Sequence, residues 1–439
     1  MNLVLTPACS NSCPYCFEKA EQQKGKHSLI SDENIMRFSK WAHDSRLPFL
    51  SLLGGEPFLH PKLGSIVKTM RQSCPWIGLR ILTGGIFNKQ LLDNICPEDV
   101  SIGFNINEPK GYLNPKHFNK VIRNVEIAIR KGFRVSLSFN VWRPDFDTNF
   151  IPDLAHKFAR SNFSWTVANP ILGCPSKVVS PSQFGLIADR CFIMLQEAAR
   201  LNIEALLDCP LPVCFFNEQQ LAWVRQYHPA TASVMGVCEP ALDVTPDLKV
   251  LRCFALSNLS RINLLDFHNE RELKDWFLNN IDYRLLNEGC FVECSQCVHK
   301  TTGRCYGGCL GNHEIQDETF ETALLPSLES RMEMAIEAGN PAQALSLYQS
   351  SNYWIKTDKA SFRAAEASLK VGDLDQAFRF ASRALDQTSD FLLLKQIGEF
   401  IAGLLTGNIS ALNEQMIDNN FPNYVSCNAL HSSSDQNKV

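Results

Sequence analysis

Cys9, Cys13 and Cys16 lie within one short segment, spaced C-x3-C-x2-C in Thr6-Pro7-Ala8-Cys9-Ser10-Asn11-Ser12-Cys13-Pro14-Tyr15-Cys16. No further cysteine follows until Cys74. Three thiolates can hold only three irons of a cubane iron–sulfur cluster, which leaves the fourth iron open to a substrate or cofactor. A structural zinc ion would need a fourth ligand, and none is nearby. The plant-ferredoxin spacing, x4 then x2 with a distant fourth cysteine, is not matched either. Pro14 restricts Cys13 to extended backbone and brings no amide donor, so a loop wrapped around a cluster fits better than one helical face.

Two further groups could do chemistry. Leu53-Gly54-Gly55-Glu56-Pro57 combines glycines, which let backbone approach a ligand closely, with a carboxylate able to make a charge-assisted hydrogen bond. Taken alone it could also be a plain turn with a solvated glutamate. Downstream stands Cys290-x3-Cys294-x2-Cys297-x7-Cys305-x3-Cys309, preceded by Cys238 and Cys253. Seventeen cysteines in a chain of this size, clustered and with no export signal, point to metal rather than to disulfides. A zinc ribbon is the alternative for this group, since C-x2-C with C-x3-C is also zinc-like.

These residues must be positioned by the elements around them. Strand-like runs at 2–6, 48–53, 77–82, 101–106, 134–141 and 165–167 alternate with amphipathic stretches at 32–43, 62–73, 116–131, 149–160 and 182–200. That alternation predicts an α/β fold with a parallel sheet, either a barrel or an open wound sheet. The segments 7–16, 54–57 and 83–85 follow the first three strands, and both architectures bind ligands at the carboxyl ends of strands. The expected organisation is a core barrel over 1–205 and an irregular cysteine-rich domain over 206–318, organised by metal rather than by a large core. An all-α region over 326–425 and a disordered tail over 426–439 follow. Within the helical region Ala338-Gly339-Asn340 with Gln343-Ala344-Leu345 recurs 33 residues later as Val371-Gly372-Asp373 with Gln376-Ala377-Phe378. A looser third copy is Thr406-Gly407-Asn408 with Ala411-Leu412, a period that reads as a tetratricopeptide-like array.

Composition excludes several classes. A net charge of −4 with both signs interspersed gives no footprint for nucleic acid. The longest apolar run, 391–405, is interrupted by Lys395, Gln396, Glu399 and Gly403 and cannot span a bilayer. The first residues have neither a basic region nor a signal-length apolar stretch, so a cytoplasmic protein is expected.

The first cysteine motif resembles the signature of the radical SAM superfamily, C-x3-C-x-aromatic-C, with Tyr15 as the aromatic residue. The resemblance implies a partial (β/α)6 barrel and a [4Fe-4S] cluster on Cys9, Cys13 and Cys16. It implies that the amino and carboxyl groups of S-adenosyl-L-methionine chelate the open iron, and that a reductant such as flavodoxin or ferredoxin drives cleavage to a 5′-deoxyadenosyl radical. Tyr15 would lie near the adenine. Gly54, Gly55, Glu56 and Pro57 look like the family's GGEP element, with Glu56 on the methionyl amino group. Asn105, Ser138 and Asn140 are candidates for the ribose and carboxylate, against the plain reading of polar residues at fraying strand ends. Thr83-Gly84-Gly85 departs from the family's Thr-Asn-Gly.

The later cysteines resemble the SPASM or twitch extension, which holds one or two auxiliary clusters. By that resemblance Cys294, Cys297 and Cys305, with Cys290, hold one cluster, while Cys238, Cys253 and Cys309 hold another. Cys209 and Cys214 are spare and could complete that second site. The chain departs from the pattern in its long 297–305 spacing, in Leu248 where a glycine is usual, and in lacking a suitable cysteine after Cys309. Cys174, near the barrel mouth, could donate hydrogen to a substrate radical, although an inert buried cysteine is the plainer reading. His60 reads as structural.

Radical SAM proteins with this extension mostly modify peptides or proteins, so the resemblance implies a ribosomal-peptide maturase. Sulfatase maturation is disfavoured, because those enzymes carry aspartate directly after the cysteine matching Cys253, where this chain has Phe254. The helical array would suit capture of a peptide or protein partner. The rivals are a radical SAM enzyme for a small molecule or carbohydrate, and a non-enzymatic iron–sulfur redox or scaffold protein.

Overall fold

Val135-Ser136-Leu137-Ser138-Phe139-Asn140-Val141 shows how the sequence builds its site. In an extended chain alternate side chains face opposite sides. The four apolar residues are buried, while Ser136, Ser138 and Asn140 line an internal cavity.

The computed structural model describes residues 1–11, 13–17, 28–112, 114–171, 179–285, 289–313, 328–350, 356–388 and 390–407. In it β1 (Asn2–Val4), β2 (Phe49–Leu53), β3 (Gly78–Thr83), β4 (Ser101–Asn105), β5 (Val135–Val141), β6 (Asn162–Val167) and β7 (Glu204–Leu207) form one parallel array in chain order. Between them run α1 (Asp32–Asp44), α2 (Leu63–Ser73), α3 (Lys116–Arg130), α4 (Phe150–Lys157) and α5 (Phe184–Arg200). Each helix buries one stripe against the sheet; Phe38, Ala42, Met70, Val121 and Val125 are inaccessible to solvent. Ser31 caps α1 by accepting from the Asn34 amide, with Asp32 and Glu33 in the first turn.

The α/β fold class holds, and the described residues add strands that the sequence pattern did not separate. β7 is a seventh parallel strand. β8 (Asp243–Val244) pairs parallel with β1 on the other side, and antiparallel β9 (Lys249–Leu251) and β10 (Ile262–Asn263) extend that edge. The strand order runs β10-β9-β8-β1-β2-β3-β4-β5-β6-β7, and β10 and β7 are not paired with one another, as in an open partial barrel. The cysteine-rich segment also contributes to a larger apolar core than expected. Phe215, Leu221, Val224, Leu264 and Phe277 belong to the same continuous core as the barrel. Residues 1–327 accordingly form one compact unit.

Residues 328–439 form the other unit. Its described helices are α6 (Leu328–Glu337), α7 (Pro341–Ser350), α8 (Asp358–Lys370), α9 (Leu374–Gln387) and α10 (Phe391–Thr406). The repeat falls on equivalent turns. Gly339, Gly372 and Gly407 all take left-handed backbone after a helix, the geometry glycine adopts without cost. Asn340 and Asp373 then accept from the amides of Gln343 and Gln376. The third copy beyond Gly407 and the expected tail lie outside the described residues. No helix among the described residues is long and apolar enough to cross a membrane.

Candidate iron–sulfur and cofactor site

The loop after β1 carries Cys9, Cys13 and Cys16, and all three line a cavity of ≈ 380 Å³ at the carboxyl ends of the strands. The loop is held against the turn after β2. The amides of Gly55 and Glu56 donate to the carbonyls of Thr6 and Ala8, each at 2.8 Å. This contact explains the paired glycines. A Cβ on Gly54 would stand 2.2 Å from the Thr6 oxygen, and one on Gly55 2.3 Å from the oxygens of Pro7 and Ala8. The close approach is made to the cysteine loop itself.

The three thiols are electrostatic neighbours. Burial pushes Cys13 up to about 12, with Cys16 and Cys9 adding to the effect, and burial pushes Cys9 up to about 11. Amide donors face the sulfurs: Asn11 N lies 3.3 Å from Cys9 Sγ and Asn11 Nδ2 3.1 Å from Cys13 Sγ. Such donors favour the thiolate, which desolvation alone disfavours. A bound cation would supply the missing compensation.

Glu56 is buried behind the cavity wall and does not line it; Pro57 starts a short turn beside it. The Glu56 carboxylate accepts from the Thr83 hydroxyl (2.8 Å to each oxygen), from Gly84 N (3.2 Å) and from Phe58 N (3.2 Å). Burial raises its pKa to about 7 against the pull of those donors. Thr83 and Gly84 do line the cavity, so the Thr-Gly-Gly segment links Glu56 to it. His60 is buried, its ring accepting from Lys62 N and facing Ile30 O, a structural position.

Tyr15 is buried at the cavity wall, and its hydroxyl donates to Asn107 Oδ1 at 2.7 Å while accepting from Asn105 Nδ2 at 3.3 Å. Asn107 also turns Nδ2 toward Cys13 Sγ, at 3.8 Å. It was not singled out from sequence, because it lies past the end of β4 where alternation no longer applies. Asn105 and Ser138 are register partners on β4 and β5, and both line the cavity with Asn140. Asn105 Oδ1 is buried without a hydrogen-bond partner, an unsatisfied acceptor on a residue that lines the cavity.

Nine further thiols divide into two sets. Cys209, Cys238, Cys253 and Cys309 are mutual neighbours, and burial raises Cys209 and Cys309 well above the ordinary thiol range. Cys214, Cys290, Cys294, Cys297 and Cys305 form the other. Cys209 therefore stands where a fourth ligand for Cys238, Cys253 and Cys309 was sought, while Cys214 sits with the opposite group. Pro210 and Pro212 lie between the two and carry their thiols apart. Gly307 and Gly308, both at positive φ, make the turn that sends Cys305 to one set and Cys309 to the other. Leu248 takes left-handed backbone (φ 61°), and its side chain is buried. Cys174 lies outside the described residues. Phe254, next to Cys253, lines the cavity and stacks on Phe17, and Asp208, next to Cys209, lines it too. The four-thiol set thus borders the cavity.

Among the described residues no three His, Cys, Asp or Glu side chains close on one point as ligands of a single ion would. Cubane ligands sit on separate irons at separate corners and need not do so. Buried thiols with amide donors fit such a cluster, and the unpartnered Asn105 acceptor fits a polar ligand beside it.

Residues 3–147 match the model of the radical SAM superfamily. A GTP 3′,8-cyclase of Nautilia profundicola is 23% identical over 154 residues, which cover 34% of this chain and 48% of that protein. The chain thus spans about half the length of that curated relative. Among solved structures, native anSMEcpe with bound AdoMet superposes with a TM-score of 0.54 at 16% identity, covering 87% of this chain and 99% of that one. The complex of anSMEcpe with AdoMet and the Kp18Cys peptide gives 0.54 at 16% identity, covering 79% and 98%. The residues matched include the cysteine loop and most of the strands around the cavity, so the amino-terminal third of the chain carries the radical SAM signature.

Proposed function

We propose that the protein modifies a peptide or protein by radical chemistry, using one cluster on Cys9, Cys13 and Cys16 and two auxiliary clusters. Cys9, Cys13 and Cys16 would hold three irons of a [4Fe-4S] cluster, which with S-adenosylmethionine would supply radical chemistry when reduced. The chain's own residues bind, orient and shield. Gly54, Gly55, Thr83 and Gly84 form the wall for the methionyl end, backed by the Glu56 carboxylate. Tyr15, fixed by Asn105 and Asn107, flanks the adenine, and Asn105 and Ser138 offer polar atoms to the ribose. Cys209, Cys238, Cys253 and Cys309 would hold one auxiliary cluster. Four of the five thiols around Cys294 would hold the other.

The observation that carries the reading is the cavity itself, which joins the under-ligated loop on one side to the four-thiol set behind Phe254 on the other. The fold shared with anSMEcpe, seen there with a peptide, supports a peptide substrate. A tetratricopeptide-like array in 326–425 would offer a capture surface for such a partner. The second reading is a small-molecule substrate, favoured by the likeness to GTP 3′,8-cyclase, though that likeness covers 34% of this chain.

The test uses anaerobically reconstituted, reduced protein with S-adenosylmethionine. Formation of 5′-deoxyadenosine supports the radical reading, and its absence would leave only a redox or scaffold role. Deuterium transfer into 5′-deoxyadenosine from a labelled peptide, and none from labelled GTP, separates the two substrate classes.

A further inference from the structure

Arg252 follows β9 and is 1% exposed, one of the largest fully buried side chains in the protein. Its guanidinium forms a two-point pair with Asp282, Nε to Oδ1 at 2.8 Å and Nη2 to Oδ2 at 2.7 Å. Asp282 is equally buried. Such pairs contribute little net stability, because the desolvation of two ions offsets their attraction. Their retention in a core asks for another reason.

The rest of the guanidinium supplies one. Nη2 also donates to the Cys238 carbonyl at 2.9 Å. Nη1 points to sulfur, 3.1 Å from Cys238 Sγ and 3.9 Å from Cys253 Sγ. With two edges of the planar fork fixed by Asp282 and the Cys238 carbonyl, the remaining N–H has no freedom to turn away. The carboxylate lies on the side away from the sulfurs, so the pair acts as a dipole whose positive end faces the thiols. Against a neutral thiol this donor would find a weak acceptor. Against a thiolate it makes a charge-assisted hydrogen bond.

We infer that Arg252, clamped by Asp282, is a positioning residue that sets how readily the cluster on Cys209, Cys238, Cys253 and Cys309 accepts an electron. The inference rests on the cluster assignment made under the proposed function. Reduction adds one negative charge to the cluster, and a guanidinium donating to its ligand sulfur favours the more negative state. Arg252 therefore raises the potential, and Asp282 limits the rise while fixing the geometry.

The experiment is a potentiometric titration of reconstituted full-length protein, followed by electron paramagnetic resonance, with R252K, R252M and D282N beside wild type. In R252K and R252M the midpoint should fall by about tenfold in the one-electron equilibrium, which is about 59 mV. In D282N, where the guanidinium loses its counter-charge, it should rise. A general loosening of the site cannot give opposite signs. If R252M fails to retain the cluster, R252K and D282N still decide. Midpoints equal to wild type in both, with the iron count intact, overturn the inference. Failure of the cluster assignment looks different: C238A and C309A would then hold as much iron as wild type.

Discussion

The loop after β1, which lines the cavity, and the thiols around Arg252, whose neighbours Asp208 and Phe254 line it, are both cysteine sites, yet they differ in donor count. The first offers three thiols, with an unpartnered Asn105 acceptor and a row of polar strand ends beside them. The second offers four thiols and a guanidinium, walled from the cavity by Phe254. The difference teaches that ligand count and surroundings, more than the presence of cysteine, set what a cluster site can do. A missing ligand next to a cavity makes a place for chemistry. A complete ligand set with fixed donors makes a place to keep an electron.

The largest expected effect comes from breaking the complete site. C309A should lose about four irons per chain and all substrate modification, while formation of 5′-deoxyadenosine continues. Loss of both activities together would show that the two sites are not separate in role. G55A strikes the other site through its scaffold. The new methyl cannot fit beside the Pro7 and Ala8 carbonyls, so it must displace the cysteine loop. A destabilisation of about 1–3 kcal/mol is expected, with reduced iron at the amino-terminal site only, read by thermal melting and iron assay.

The smallest effect sharpens the comparison by pH. Glu56 has a folded pKa of about 7, raised by burial. A raised carboxyl pKa means that ionisation opposes folding, so its contribution is most favourable at low pH and is lost as pH rises to 7. E56Q carries no such charge. In the metal-free protein the stability of E56Q relative to wild type should therefore improve from pH 5 to pH 8, by at most roughly 3 kcal/mol. Denaturant melts at the two pH values check this. A pH-independent difference would mean that Glu56 is not desolvated.

Much of the site could be read from the chain because it is written in periodic or clustered residues. The alternation Ser136, Ser138, Asn140 announces a strand with a polar inner face, and the cysteine spacings announce their loops. What could not be read depends on three-dimensional register. Asn107 reaches Tyr15 only because the chain turns after β4. Cys209 and Cys214 are close in sequence, but the prolines between them send them to different sets. Glu56 looked like a residue in direct reach of a ligand, and the glycines before it looked like a ligand cradle. Their backbone packs on the cysteine loop as well as lining the cavity, and Glu56 lies behind Thr83. The Arg252–Asp282 pair joins residues thirty positions apart and leaves no local pattern.

The most direct test is the electron paramagnetic resonance spectrum of the reduced, fully reconstituted protein before and after S-adenosylmethionine is added. One cluster signal should change on addition, and that signal should be missing from C13A while the others persist. A spectrum indifferent to S-adenosylmethionine would mean that the polypeptide fills every iron's fourth position itself, and one that responds equally in C13A would mean that the open iron is not held by the loop after β1.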